Sequence, residues 1–107
     1  MPEQAYVYIL ASSFQHLYIG ITTDFEVRIR QHKSHKYPRS FTARYNIDKL
    51  VYYECYALVL QAIAREKQLK RWSRIKKIGL IVSLNPTWQD LSADWGKPLK
   101  PYTESPQ

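Results

Sequence analysis

Tyr6-Val7-Tyr8-Ile9-Leu10, then Leu17-Tyr18-Ile19-Gly20-Ile21-Thr22, then Thr23-Asp24-Phe25-Glu26-Val27-Arg28-Ile29-Arg30-Gln31-His32-Lys33: this stretch decides how the chain is read. The first run is β-branched and aromatic, the composition of a strand. Ser12 to His16 is short and polar, which suits a hairpin connection. The second run is a strand with Gly20 inside it. A glycine there marks a bulge or a close backbone approach. Two strands joined by so short a gap should pair antiparallel. Thr23 with Glu26 three residues on reads as a capping box, so a helix is expected from about Asp24 to Lys33. Phe25 and Ile29, four apart, give it an apolar stripe. Arg28 and His32 have the same spacing and share a face one turn apart.

Working outward, residues 35–46 show no hydrophobic period and carry Pro38, Ser40, Thr42 and Asn46. They read as a basic loop that could close over a ligand. Leu50 to Tyr56 is a third strand. Ala57 to Trp72 reads as a helix with Val59, Ala62, Ile63, Leu69 and Trp72 on its apolar side. Ser73 caps a further helix with Ile75, Ile78, Ile81 and Val82 expected to face inward, and Asn85-Pro86 stops it. Trp88 should pack down after that stop. The order is β-β-α-β-α-α, a small three-stranded antiparallel sheet flanked by helices, which is an α+β fold. No repeat or linker divides the 107 residues, so a single domain over 1–95 is expected, followed by a Pro-containing, flexible tail over 96–107.

Charge bounds the function. Sixteen Lys and Arg against nine Asp and Glu give a net +7. Seven of the sixteen fall between Arg28 and Lys49, and seven more between Arg65 and Lys77. Val27 to Ile47 contains no acid. Such a face is the electrostatic footprint of nucleic-acid binding, with a solubilising surface as the plain alternative. The one cysteine, Cys55, allows no internal disulfide, and no Cys/His zinc spacing exists. No transmembrane span or signal core is seen, so a cytoplasmic location is the expectation.

Three groups of residues could carry chemistry. Glu66 is the only acid in Arg65-Glu66-Lys67-Gln68-Leu69-Lys70-Arg71. It is either a solvated helix residue paired with Lys70 or a carboxylate set in a phosphate-binding surface to hold a divalent cation. Arg28 can clamp phosphate oxygens bidentately, with His32 titrating near neutrality beside it. Tyr8 and Tyr18 are either strand residues that pack or phenols that need activation, since a free phenol ionises near ~10.

The ordered set resembles the GIY-YIG endonuclease domain, in its short stand-alone bacterial branch. The likeness rests on Tyr6-Val7-Tyr8, a gap of nine residues, Tyr18-Ile19-Gly20, then Arg28, His32 and Glu66, and extends to Leu84-Asn85-Pro86-Thr87-Trp88-Gln89-Asp90-Leu91. It implies that Tyr8, Tyr18, Arg28, His32 and Glu66 are the catalytic residues and that Glu66 binds the metal, Mg²⁺ with Mn²⁺ as substitute. The reaction implied is hydrolysis of DNA phosphodiesters, structure- rather than sequence-selective, in repair or recombination. The DNA would be branched or single-stranded, and a protein partner could target the domain. Gly20, Arg30, Lys33, Arg39, Arg44, Lys67, Lys70 and Arg71 are the candidate nucleic-acid contacts. The chain departs from the family pattern in three places. Tyr6 stands for the first motif's Gly, Ile21-Thr22 for a Lys found in some members, and Ile78 with its neighbours for an Asn found in others. Asn85 lies farther on, and that role is not transferred to it. The other readings are a non-catalytic nucleic-acid-binding module using the same basic face, and a scaffold that recruits protein partners.

Overall fold

The computed structural model describes residues 4–95. The expected tail over 96–107 lies outside them. Three strands, β1 (Ala5–Ala11), β2 (Leu17–Thr22) and β3 (Lys49–Tyr56), form one antiparallel sheet in the order β2-β1-β3. Four helices accompany it: α1 (Phe25–Lys33), α2 (Phe41–Arg44), α3 (Val59–Arg71) and α4 (Arg74–Leu84).

β1 is the central strand, which is why its sequence is apolar almost without alternation. Val7, Ile9 and Ala11 face one core with Ala62, Leu69 and Ile81. Tyr8 and Leu10 face the other with Ile29, Ile47 and Leu50. The sheet is therefore covered on both faces, by α3 and α4 on one side and by α1 on the other. Between Ile9 and Leu10 the β1–β3 register slips, which leaves Val51 without an opposite partner. The β1–β2 connection is closed by Ser12, whose hydroxyl accepts from the Phe14 and His16 amides at 3.2 and 3.0 Å.

Three expectations change. The capping box at Thr23 does not form: Asp24 occupies the cap position and makes no side-chain cap bond. The helix starts one residue later, so Glu26 falls one position short of closing the box and pairs with Arg30 at 3.3 Å instead. The loop over 35–46 contains the short helix α2, capped by Ser40, whose hydroxyl accepts from the Ala43 amide. Of the residues expected to face inward on α4, Ile81 is buried, whereas Ile75 is 82% exposed and Val82 is exposed as well. At 100° per residue Ile75 sits about 120° from Ile81 around the helix, too far to share its stripe. The Ser73 cap on α4 does form, accepting from the Lys76 amide.

The end of the domain is tied down by polar groups. Asn85 is buried. Its amide donates to the Val51 and Gln89 carbonyls, and its Oδ1 accepts from the Gln89 amide. Asp90 accepts from the Leu50 and Ser92 amides and from the Lys33 ammonium. Trp88 joins the α3/α4 core, as expected, and Trp95 packs beside α1.

Candidate active site

The pairing of β1 with β2 sets Tyr8 opposite Gly20 and Leu10 opposite Tyr18. Tyr8, Gly20 and Tyr18 therefore share the α1 face. A Cβ at Gly20 would overlap the ring and hydroxyl of Tyr8. The glycine is needed because the Tyr8 phenol lies across the strand, so of the two meanings of a strand glycine, close approach is the one realised.

His32 comes from α1, one turn beyond Arg28, and is buried. Its Nε2 shares a hydrogen bond with the Tyr8 hydroxyl at 3.1 Å, and its Nδ1 shares one with Thr42 Oγ1 at 2.9 Å. The Tyr18 ring is 5.4 Å from the His32 ring and 6.3 Å from that of Tyr8, centroid to centroid. Two tyrosines and a histidine, separated by up to 24 positions in the chain, thus form one cluster.

The environment sets their protonation. Burial, then Tyr18, pushes the Tyr8 phenol well above its ordinary value; Glu66 adds to the rise and Arg28 opposes it. Tyr8 keeps its proton. Burial, then Arg28, lowers His32 to about 4, so its imidazole is neutral at pH 7. A neutral imidazole donates from one nitrogen and accepts at the other, and Tyr8 and Thr42 supply the two partners.

Arg28 donates to Gln31 Oε1 at 3.1 Å, and its guanidinium lies 6.0 Å from the Tyr37 ring centroid. Glu66 sits between Ala62 and Leu69, the two buried residues of α3, at four and three residues' distance. It therefore lies on the inward stripe, and its side chain is only 16% exposed. The pair with Lys70 forms at 3.4 Å, but the burial does not fit a solvated helix residue. Arg28 and Glu66 both act on the Tyr8 phenol, which brings all five residues singled out in the sequence into one electrostatic neighbourhood.

The expected nucleic-acid contacts are of several kinds. Gly20 is a spacer under Tyr8. The Lys33 ammonium is taken up by Asp90 and the Asp48 carbonyl, so this cation belongs to the fold and is removed from the candidate surface. Arg30 pairs with Glu26, and Lys70 with Glu66, both near the surface. Arg39, Arg44, Lys67 and Arg71 are exposed.

Thr42 was missed in the sequence, although it is the residue that orients His32. Its only signal was a threonine in a segment without period. Glu54 was missed too. Its carboxylate accepts from Tyr52, from Tyr56 at 2.6 Å and from Arg65 Nε at 2.9 Å, which clamps α3 to β3 one residue from Glu66. Burial pushes the Glu54 carboxyl up, but the bonds from Arg65, Tyr52 and Tyr56 outweigh it and hold it below its usual range.

A sheet of this order, with two tyrosines from paired strands meeting a helical His, defines a small α+β domain. Residues 4–78 match the family model of the GIY-YIG catalytic domain. The chain belongs to the GIY-YIG family, and membership implies nuclease-type activity with DNA as substrate. Its relatives are short proteins. It is 40% identical over 76 residues to a UPF0213 protein of Syntrophus aciditrophicus, covering 71% of this chain and 87% of that protein. It is 36% identical over 77 residues to one of Haloquadratum walsbyi, covering 72% and 85%. The solution structure of a UPF0213 protein from Bacillus halodurans superposes with a TM-score of 0.54 at 27% identity, covering 89% of this chain and 99% of that one.

Proposed function

We propose that this domain is a divalent-metal-dependent endonuclease that hydrolyses DNA phosphodiesters by recognising structure rather than sequence, with a role in repair or recombination. The observation that carries it is the meeting of Tyr8, Tyr18 and His32 in one cluster, within the electrostatic reach of Arg28 and Glu66 and beside a basic segment that holds no acid.

Glu66 is the residue that would hold the metal. Among the described residues no group of three or more His, Cys, Asp or Glu side chains gathers. A partly buried carboxylate of this kind suits Mg²⁺, which takes one or two carboxylates and keeps several waters, with Mn²⁺ as a substitute. Bound there, the ion would polarise a phosphate oxygen and ease departure of the 3′-oxygen. Arg28 would neutralise charge that builds on the phosphoryl oxygens. Tyr8 and His32 have their polar atoms committed to each other and to Thr42. That leaves Tyr18, the more exposed phenol: having first given up its own proton with a nearby cation to activate it, it would as phenolate take the proton from the attacking water, with the Tyr8 and His32 rings packed beside it.

The test is cleavage of labelled duplex, single-stranded, flapped and four-way-junction DNA in Mg²⁺ or Mn²⁺. Glu66→Gln and Arg28→Ala are each expected to lower the rate on the order of a hundredfold or more. Wild type that binds in a salt-sensitive way and cuts nothing would leave the non-catalytic binding module. Unchanged cleavage by Glu66→Gln would remove the metal role.

A further inference from the structure

Three aromatic rings stand in water within nine residues of one another. Tyr37 is 52% exposed, Phe41 51% and Tyr45 45%. None belongs to either core. The Phe41 and Tyr45 rings lie 4.9 Å apart between centroids, and His16 of the β1–β2 turn extends the row at 5.7 Å from Tyr45. Arg39 and Arg44 are interleaved with them, both exposed, in a segment without an acid.

The row is joined to the active site at two points. Thr42, next to Phe41, bonds to His32 at 2.9 Å, and Tyr37 lies under Arg28. Phe41 opens α2, whose first turn is capped by the Ser40 hydroxyl. Since these rings pack into neither core, the fold does not account for their grouping, and a partner of matching chemistry would. Flat apolar faces interleaved with guanidinium groups match unpaired nucleobases on a charged backbone. A duplex keeps its bases stacked and offers only phosphates.

We infer that His16, Tyr37, Phe41 and Tyr45 form a stacking shelf for unpaired nucleobases, with Arg39 and Arg44 on the adjacent phosphates, and that the shelf leads a single strand into the Tyr8–Tyr18–His32 site. This rests on the nuclease reading for what happens at the site, but the shelf itself is a binding property. It makes the selectivity of the domain one for single-stranded segments.

The experiment measures anisotropy of labelled oligonucleotides in EDTA, where turnover is excluded. The probes are a DNA single strand, the same sequence as duplex, an RNA single strand and a strand of abasic residues with the same number of phosphates. Wild type should bind the base-bearing strands about tenfold or more tighter than the abasic strand, the size expected for stacking of one or more bases. Phe41→Ala and Tyr45→Ala should each remove most of that advantage and converge with wild type on the abasic strand. Phe41→Trp, which keeps a ring, should retain the advantage. Unaltered circular dichroism spectra establish that the variants are folded, as their exposed positions lead one to expect. Equal binding of abasic and base-bearing strands, or single-strand binding indifferent to both alanine variants, overturns the shelf. Metal-dependent cleavage retained in that event leaves the nuclease reading standing; stacking retained without any cleavage removes the nuclease reading and leaves the shelf. The RNA strand decides whether the shelf reads bases alone or also the sugar.

Discussion

At the scale of single residues, Thr42 has the largest consequence for the least sequence signal. It is buried, and its hydroxyl is the partner of His32 Nδ1. Thr42→Val keeps the shape and removes the hydroxyl, so a buried ring nitrogen loses its partner at a cost of about 1–3 kcal/mol. Thr42→Ser should restore most of it. Nitrogen chemical shifts of His32 report which ring nitrogen carries the proton; a mixed or reversed tautomer is expected in the valine variant and a single tautomer in the serine variant. Identical His32 shifts in all three proteins would show that Thr42 fills space only. Glu66 was legible in the sequence only as a choice between solvent and site. Its position between Ala62 and Leu69, with a side chain only 16% exposed, argues against the solvated reading.

At the scale of elements, α3 has to be held at one rotation for Glu66 to face inward. Glu54 on β3 does this by accepting from Arg65 while two tyrosines of its own strand donate to it. Both partners are largely shielded, so the pair is worth more than a surface ion pair. Glu54→Gln should cost about 2 kcal/mol, the range of a hydrogen bond to a charged group. It should be read as a lower denaturant midpoint at unchanged slope. A midpoint that does not move would show that α3 is positioned by its apolar contacts alone. The helices also show where local patterns stop being informative. The capping box at Thr23 and the inward set on α4 are both correct in period, but each is displaced by a residue or by a third of a turn.

For the molecule as a whole, burial of titratable groups gives stability a definite pH profile. His32 ionises at about 4 when folded and near ~6.5 when unfolded. Between those values the unfolded chain binds the extra proton, so this contribution is full above the unfolded value and declines as pH falls toward the folded one. The total is on the order of 3 kcal/mol. Asp90 behaves like Glu54: burial raises its carboxyl, but the bonds from Lys33, Ser92 and Leu50 hold it below the usual range. The stability these two carboxylates contribute is full above about 4 and lost as pH falls through their lowered values. Urea midpoints between pH 8 and pH 3 should therefore be level to about pH 7, fall through the histidine window, and fall again below about 4. A midpoint level from pH 7 to about 4.5 would mean that His32 is charged in the folded state.

Much of this protein was readable from the chain itself. β-branched and aromatic composition and helix period are local properties of the chain, so the three strands, the three longer helices and their order followed from them. The motif residues could be picked out because their ordered set resembles the GIY-YIG motifs; taken singly, each reads as well as a packing or surface residue. Tertiary structure alone decided which side chains use up one another. Lys33 looked like a free cation until Asp90, fifty-seven residues on, was folded against it. His32 looked like a group that titrates near neutrality until the fold buried it and set Arg28 beside it, which favours its neutral form. Burial and hydrogen-bond partnership depend on contacts between distant parts of the chain, and no local pattern carries them.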